Sequence, residues 1–499
     1  MKKVLSVFLA IIILLSASSA SLEALAAGKP TNGWYETGGN KYYLVDGAYV
    51  KGFTVIGQGF YYFNEKTGAL VTNSWATVSV KQDGLTEKYK VYATASGKLK
   101  EGWLKYNNKY YYLNPFMITS DTCLINGKFY VFEANGARTT KKGWIALDRN
   151  AGAGTTQRRW TYVTGGGQAV TGWQKIGTKR YYFNPKNALM TEDGVRKVGK
   201  KICYFNSDGS WANTKTGWIK YNGEKYYFVN GIAAMGWKKI NGYAYFFDRT
   251  SGKMLYGGPY YILQKDGSPG AVYFLDRNGT LTSKTGFRIY TDYDSELNTD
   301  VTRYAYVLNS KGHCKTGWRK INGKSYFFSY DNGEMYMNGG RSVTANGKTI
   351  AYFFEPKGAL TTKTGWQTVT KTKSDGTKIT KKYYVTAGGR CATGWKKIGN
   401  IRYYFNADGE MLCGNIFVIN GKICYFNISG TYDYTKEGVV KKNGQYYYFV
   451  KGLGQTGWQT VNGINRYFDA TMGYMYRNGV YEIGGVMYEF DSAGRATKV

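Results

Sequence analysis

The sequence predicts an all-β fold, a solenoid of stacked two-stranded β-hairpins, and three observations carry that reading. Glycine (66) and tyrosine (49) are far above ordinary usage while proline (6) is scarce; Gly-marked turns between aromatic strands have that composition. No long segment spaces its apolar residues at the helical period. One motif also recurs along nearly the whole chain, as in TGWKKIGNIRYYFNADGEM at 393–411. It has a Gly-Trp pair at its head and a Tyr/Phe cluster on the returning strand, and internal repetition of this kind outranks any domain count from length.

The opening segment, MKKVLSVFLAIIILLSASSASLEALAA, reads as a secretory signal peptide spanning residues 1–26. Two lysines precede an apolar run too short and wrongly flanked for a membrane span, and small residues follow it. Cleavage after Ala26 fits the small-x-small rule, with Ala20 as the competitor. The closing segment, DSAGRATKV, shows no hydrophobic tail or sorting motif. The expectation is a secreted protein, not inserted in the membrane, that is held at the cell surface non-covalently. The net charge is +34 over the whole chain. So basic an exported protein is drawn to polyanions, although charge alone also keeps an aromatic-rich protein dispersed.

Each repeat unit reads as a hairpin. In 395–405 the strand Trp-Lys-Lys-Ile meets a turn at Gly399-Asn400, and Ile401–Phe405 returns,. Side chains alternate along a strand, so Tyr403, Tyr404 and Phe405 put rings on both faces. One face must pack on the next hairpin, because an isolated hairpin is marginal. Gly-Trp pairs place tryptophans at 34, 103, 144, 173, 218, 237, 318, 366, 395 and 458, with Phe53, Trp75, Phe287 and Val439 in diverged copies. An interval of 29 residues (144 to 173) is followed by one of 45 (173 to 218), and this alternation recurs. It defines a B module with an elongated first hairpin and a double second unit, and a shorter A module. The predicted order is A (27–74), B (75–143), B (144–217), A (218–286), B (287–365), B (366–438) and A (439–499), with no block left over for a catalytic domain.

The segments TGWQKIGTKRYYFN (171–184), TGWKKIGNIRYYFN (393–406) and TGWRKINGKSYFFS (316–329) closely resemble the cell-wall-binding, or choline-binding, repeat superfamily of Gram-positive bacteria. The resemblance covers about residues 33–494. Its pattern is nearest to the glucan-binding repeats of secreted glucosyltransferases and the repeats of clostridial toxins. It implies a superhelix of stacked hairpins with ligand sites at the junctions between them. In the choline branch the resemblance implies a cage made of the Gly-Trp ring, a second Trp before the Tyr-Tyr pair, a third aromatic and often a Met. Met190, Met254, Met335, Met411 and Met475 stand where the family Met would. The second ring is replaced by Lys41, Arg180, Lys225, Ala244, Ser325 and Arg402, with Tyr110 and Tyr446 as exceptions. A cation in the wall repels a quaternary ammonium, so choline is disfavoured though not excluded. An arginine beside a stacked pyranose suits hydroxyls, carboxylate or phosphate instead.

The candidate ligand-binding residues are therefore Trp144, Trp173, Trp218, Trp237, Trp318, Trp366, Trp395 and Trp458, with Arg180, Tyr181, Tyr182, Arg402, Tyr403 and Tyr404. Most of the Gly-Trp rings are expected to be packing residues first, leaving a few weak sites that act together. The implied partner is a cell-wall polymer, teichoic acid or wall glycan, or another oligosaccharide. An adhesin for host glycans and a structural surface protein remain as alternatives.

Other signals point to nothing catalytic. His313 beside Cys314 reads as a turn histidine, since a Cys–His pair needs an orienting third group,. The acidic run at 292–300 lacks the Gly and closing Glu of a calcium loop and reads as a solvated hairpin tip,. The six cysteines show no metal-ligand spacing and read as small buried residues, with a Cys413–Cys424 bridge left open,. Basic tips at Arg158-Arg159 and at Lys371–Lys382 read either as a polyanion-binding edge or as strand-end charges against aggregation,. No cofactor, metal, nucleic-acid partner or enzymatic activity is expected.

Overall fold

The computed structural model describes residues 29–82, 85–152 and 155–499; the expected signal peptide lies outside them. Among the described residues the fold is all-β, with one three-residue 3₁₀ turn at Ala387–Gly389 and no α-helix. The chain forms two compact units, Met1–Ala234 and Met235–Val499, each described below by itself.

The hairpins follow from their turns. In the Trp395 hairpin Ile398 faces Ile401 across a two-residue turn, and Trp395 pairs with Tyr404. Only the glycine of Gly399-Asn400 has positive φ (61°), the type II′ signature,. The Asn-Gly turns, such as Asn322-Gly323, place both residues at positive φ (49° and 77°), which is type I′,. Either turn fixes a register that sets Trp beside the second tyrosine and sends the closing Phe inward. The elongated hairpins predicted for the B modules are present, as in Gly286–Asp294 with Thr299–Val307 and Gly365–Thr372 with Lys378–Thr386.

In each unit the closing phenylalanines form the core. Phe63, Phe183, Phe228, Phe247, Phe328, Phe354, Phe426 and Phe468 are fully buried, and burial of one such ring contributes about 1.5–3 kcal/mol. Successive hairpins are tied by one recurring main-chain hydrogen bond. The carbonyl two residues before the second tyrosine accepts from an amide after the next hairpin: Met190 N–H to Trp160 O (2.7 Å), Trp211 to Arg180 (2.7 Å), Tyr432 to Arg402 (3.0 Å) and Arg138 to Tyr110 (2.6 Å). We call the donating position the linker position.

Two kinds of contact join hairpins. Where a Gly-Trp ring is present, packing is by rings. Where Thr122, Val195, Gly340 or Ile416 takes its place, a two-residue third strand joins two hairpins into a five-stranded sheet. Phe129 pairs with Ala169 in the first of these, and Ile423 with Gly454 in the last. Among the described residues the simple two-stranded units expected from the repeat are therefore extended in six sheets, four of five strands and two of three.

Candidate functional site

The ring junctions are built from four positions. A Gly-Trp ring stands beside the second tyrosine of its own hairpin and the first tyrosine of the next. The residue two before that second tyrosine on the returning strand and the linker-position side chain complete the group. Trp366 shows the frame: Tyr384 at 5.4 Å, Tyr403 at 5.1 Å and Phe405 at 6.0 Å, ring centre to ring centre. Edge-on aromatic contacts of this geometry add about 0.5–1.5 kcal/mol beyond burial. None of the Gly-Trp rings is buried, and Trp34, Trp218, Trp237, Trp366 and Trp458 are exposed. Each ring is thus packed against neighbouring aromatics while part of its surface stays open to solvent.

The other candidate residues fall on the same frame. Trp237 meets Phe246 and Tyr273, Trp318 meets Phe327 and Tyr352, and Trp458 meets Tyr467 and Tyr488. Trp218 meets Tyr227 of its own hairpin at 5.3 Å. Tyr181 is buried and packs on Trp144, whereas Tyr182 and Tyr404 flank Trp173 and Trp395. A groove of ≈ 360 Å³ beside Trp318 is lined by Val343, Ala345, Lys348, Ile350 and Tyr352.

The junctions differ in what joins the tryptophan. At Trp144 that position, two before Tyr162, is Trp160, paired with Ala146, a ring outside the repeat motif because its elongated hairpin carries no Tyr-Tyr pair. Trp160 lies 6.5 Å from Trp144 and Tyr181 4.8 Å, so three rings meet there. The second ring, read as missing from most units, is present at this junction, and the argument against choline does not extend to it.

At Trp173 and Trp395 the first tyrosine is replaced by Cys203 and Cys424, both buried. The third ring then comes from the linker position: Trp211 lies 5.2 Å from Trp173, and Tyr432 lies 5.1 Å from Trp395. The Arg180 guanidinium stands 5.6 Å from Trp173 and 5.7 Å from Trp211. That of Arg402 stands 5.3 Å from Trp395.

The Trp103 junction reverses the roles. Tyr110, Tyr130 and Trp103 supply three rings, and the cation comes from the linker position. The Arg138 guanidinium lies 4.7 Å from Tyr110, 5.7 Å from Trp103 and 6.0 Å from Tyr130. Its Nε is buried without a hydrogen-bond partner.

Comparison with known proteins places these repeats. A choline-binding repeat matches residues 392–431, and a cell wall binding repeat matches 101–115, 171–186, 216–231 and 316–335. These segments of the chain are repeats of the choline-binding, or cell-wall-binding, type. Similar curated proteins include Glucosyltransferase-S of Streptococcus mutans, 25% identical over 66% of this chain and 21% of its own, and Toxin A of Clostridium novyi, 31% identical over 28% of this chain and 6% of its own. The chain thus spans only a minor part of the relatives it matches. Among solved structures, CbpJ of Streptococcus pneumoniae is 23% identical, covering 56% of this chain and 99% of that one at a TM-score of 0.24.

Three expectations are corrected by the geometry of the repeats. Most of the methionines are core residues: Met254, Met335, Met411 and Met475 are buried, and Met190 is half-buried. Each lies under the turn glycine of the following unit, where a Cβ on Gly430 would come within 2.3 Å of Met411 Cε. Bound through its amide, the linker residue is led down into the core, and only longer side chains reach past that glycine to the rings. The acidic tip at 292–300 is not simply solvated. Leu297 is buried, its carbonyl accepts from Ser374 N–H (3.0 Å), and Arg303 and Lys381 engage Asp294 and Glu296. The basic tips are likewise partly neutralised, with Arg158 on Asp148 at 2.8 Å, Arg159 on Glu192, and Lys381 also on Glu410 at 2.9 Å.

All six cysteines are free thiols, and burial pushes the Cys314 and Cys391 thiols up to about 12. His313 stacks near Tyr273 at 4.8 Å. Among the described residues no group of three or more His, Cys, Asp or Glu is placed to hold a metal, and no helix is long and apolar enough to cross a membrane.

Proposed function

We propose that the chain is a secreted, non-catalytic protein of a Gram-positive bacterium whose A and B modules stack into a β-solenoid. Its role is to attach, non-covalently, to the cell wall through teichoic acid or wall glycan. The observation that carries this reading is the recurring tryptophan packed among aromatics at a hairpin junction yet left partly open to solvent, since an accessible aromatic surface is what a pyranose ring packs on. Trp144, Trp173, Trp318, Trp366, Trp395 and Trp458 are the sites we assign, with Arg180 and Arg402 as hydrogen-bond donors beside two of them. Each site is weak, and affinity comes from several engaging one polymer. The net charge supports attraction to an anionic wall polymer.

A second reading has its own observation. The three rings at Trp144 suit a quaternary ammonium, so a choline-bearing polymer is a candidate ligand there. The likeness to Toxin A keeps host glycans as the alternative partner.

The test is pelleting of the mature protein with cell walls, intact and stripped of teichoic acid by acid, across a salt series. Binding lost on stripping and weakened by salt identifies an anionic polymer. Binding that survives both identifies a neutral glycan. No binding to either preparation overturns attachment to the wall, and a host glycan panel then follows. Unchanged binding after Trp→Ala changes at the assigned junctions would make the array structural.

A further inference from the structure

We infer that the Trp103, Trp173 and Trp395 junctions are inverted cages. The chain seats its own guanidinium where a cationic ligand would sit, and the junction takes an oxyanion, a carboxylate or phosphate on a glycan polymer. The inference deepens the reading above by assigning a ligand class to three of its junctions.

Two different chain positions deliver the charge to one place. Arg180 and Arg402 come from the strand opposite the tryptophan, where the Trp144 junction has Trp160. Arg138 comes from the linker position, where that junction has Met190. In all three the guanidinium carbon lies within 4.7–5.7 Å of at least one ring centre, inside the range of a cation–π contact. The ring positions compensate: where arginine takes the place of the second ring, Trp211 or Tyr432 restores an aromatic from the linker position. A guanidinium so placed both fills the seat and repels a second cation.

The donors of these guanidiniums are unspent. Arg196 bonds Tyr221, Arg303 bonds Asp294 and Glu334, and Arg466 bonds two carbonyls. No side-chain hydrogen bond or ion pair is present for Arg138, Arg180 or Arg402 among the described residues, and Arg138 Nε is buried without one. Arg180 and Arg402 are exposed, so their N–H edges face solvent. A planar fork held within cation–π range of the rings, with its donors uncommitted, suits bidentate pairing with carboxylate or phosphate.

The experiment titrates the whole mature chain with choline, glucuronate and glycerol phosphate, following binding by ligand-observed NMR and calorimetry. It compares wild type with R138M, R180W and R402W. Each substitution installs a residue found at the same place elsewhere in this chain, Met190 or Trp160, and a thermal melt verifies folding. The expected result is that wild type binds one or both oxyanions. Each variant should lose that binding at its junction on the order of tenfold and gain choline binding there. A preference for glucuronate over glycerol phosphate would name the carboxylate as the source, and the reverse the phosphate. Wild type that binds neither oxyanion overturns the proposal, as do folded variants whose choline and anion uptake match wild type. R180K and R402K, which keep the charge but lose the fork, should keep choline out while weakening the anion. The outcome is separable from wall attachment: loss of wall pelleting with the anion switch intact would remove the polymer reading and leave the inverted cages standing.

Discussion

The Trp103 and Trp144 junctions lie in the same unit and share a frame, yet one is filled and the other open. Both bring three rings together, Trp103 with Tyr110 and Tyr130, and Trp144 with Trp160 and Tyr181. They differ at the linker position, where Arg138 stands over the first set and Met190 turns down beneath Gly209 at the second. The rings make a pocket; a residue beyond the next hairpin decides what charge the pocket accepts. Ligand class in such an array is therefore set by pairs of hairpins, and a motif read within one hairpin misses half of it.

The largest effect should come from removing the frame that both junctions share. Phe132 and Phe183 are fully buried under the two tryptophans, so Phe132→Ala or Phe183→Ala should cost about 3–5 kcal/mol. Trp144→Ala, at a half-buried ring, should cost clearly less stability while removing binding at its junction. Urea unfolding of the three variants checks this, and equal losses would mean that the open ring is core. Next in size, Met190→Arg should turn the Trp144 junction into a copy of Trp103. Loss of a desolvated cation–π seat worth about 2 kcal/mol lowers choline affinity there by roughly 30-fold; an unchanged affinity would break the comparison. Smaller again, Gly167→Ala should unseat Arg138, because a Cβ would meet Arg138 Cγ at 2.8 Å and Thr139 O at 2.7 Å with φ at +72°. About 1–3 kcal/mol of stability is expected to go. Choline binding should rise at Trp103 without any change to a ring.

How much of this was legible in the sequence follows the same division. The hairpins, their turns and the elongated tips were legible, because turn residues and strand alternation are local. Asn322-Gly323 and Gly399-Asn400 announce their turn types directly. The Gly-Trp rings and Arg402 could be read off directly, since they belong to the motif itself. Trp160 was missed because its hairpin reads RRWTYV and carries no Tyr-Tyr pair. Arg138 was missed because it follows its hairpin by several residues, and only the bond from its amide to Tyr110 O (2.6 Å) brings it onto the rings. The buried methionines went wrong for a related reason: sequence places them beside the cage, but the space under the turn glycine of the following unit takes the side chain inward. The two-residue third strands need pairing partners such as Gly454 and Ala169, which no local pattern announces.

The smallest effect concerns how neighbouring junctions are clamped at their turns. At Trp173 the clamp is Lys179 Nζ to Asp208 Oδ2 at 2.6 Å, joining the tip of one hairpin to the turn after the next. At Trp144 it is Arg159 with Glu192. Partial burial pushes the Asp208 carboxyl up, but hydrogen bonds from Lys179 and from the Ser210 hydroxyl and amide outweigh it and hold its pKa at about 2. A carboxylate with a lowered folded-state pKa stabilises the fold above its ordinary value of 3.8 and loses that contribution as pH falls toward about 2,. Acid titration of wild type and D208N should therefore diverge above pH 3.8 and converge near pH 2. The divergence will be small, because the pair is largely exposed and screened by salt. It should shrink further in high salt, while the Trp144 junction, whose arginine is more buried, should respond less. Equal salt sensitivity at the two junctions would mean that the clamps are interchangeable and that the difference between the junctions lies in their rings and linker residues alone.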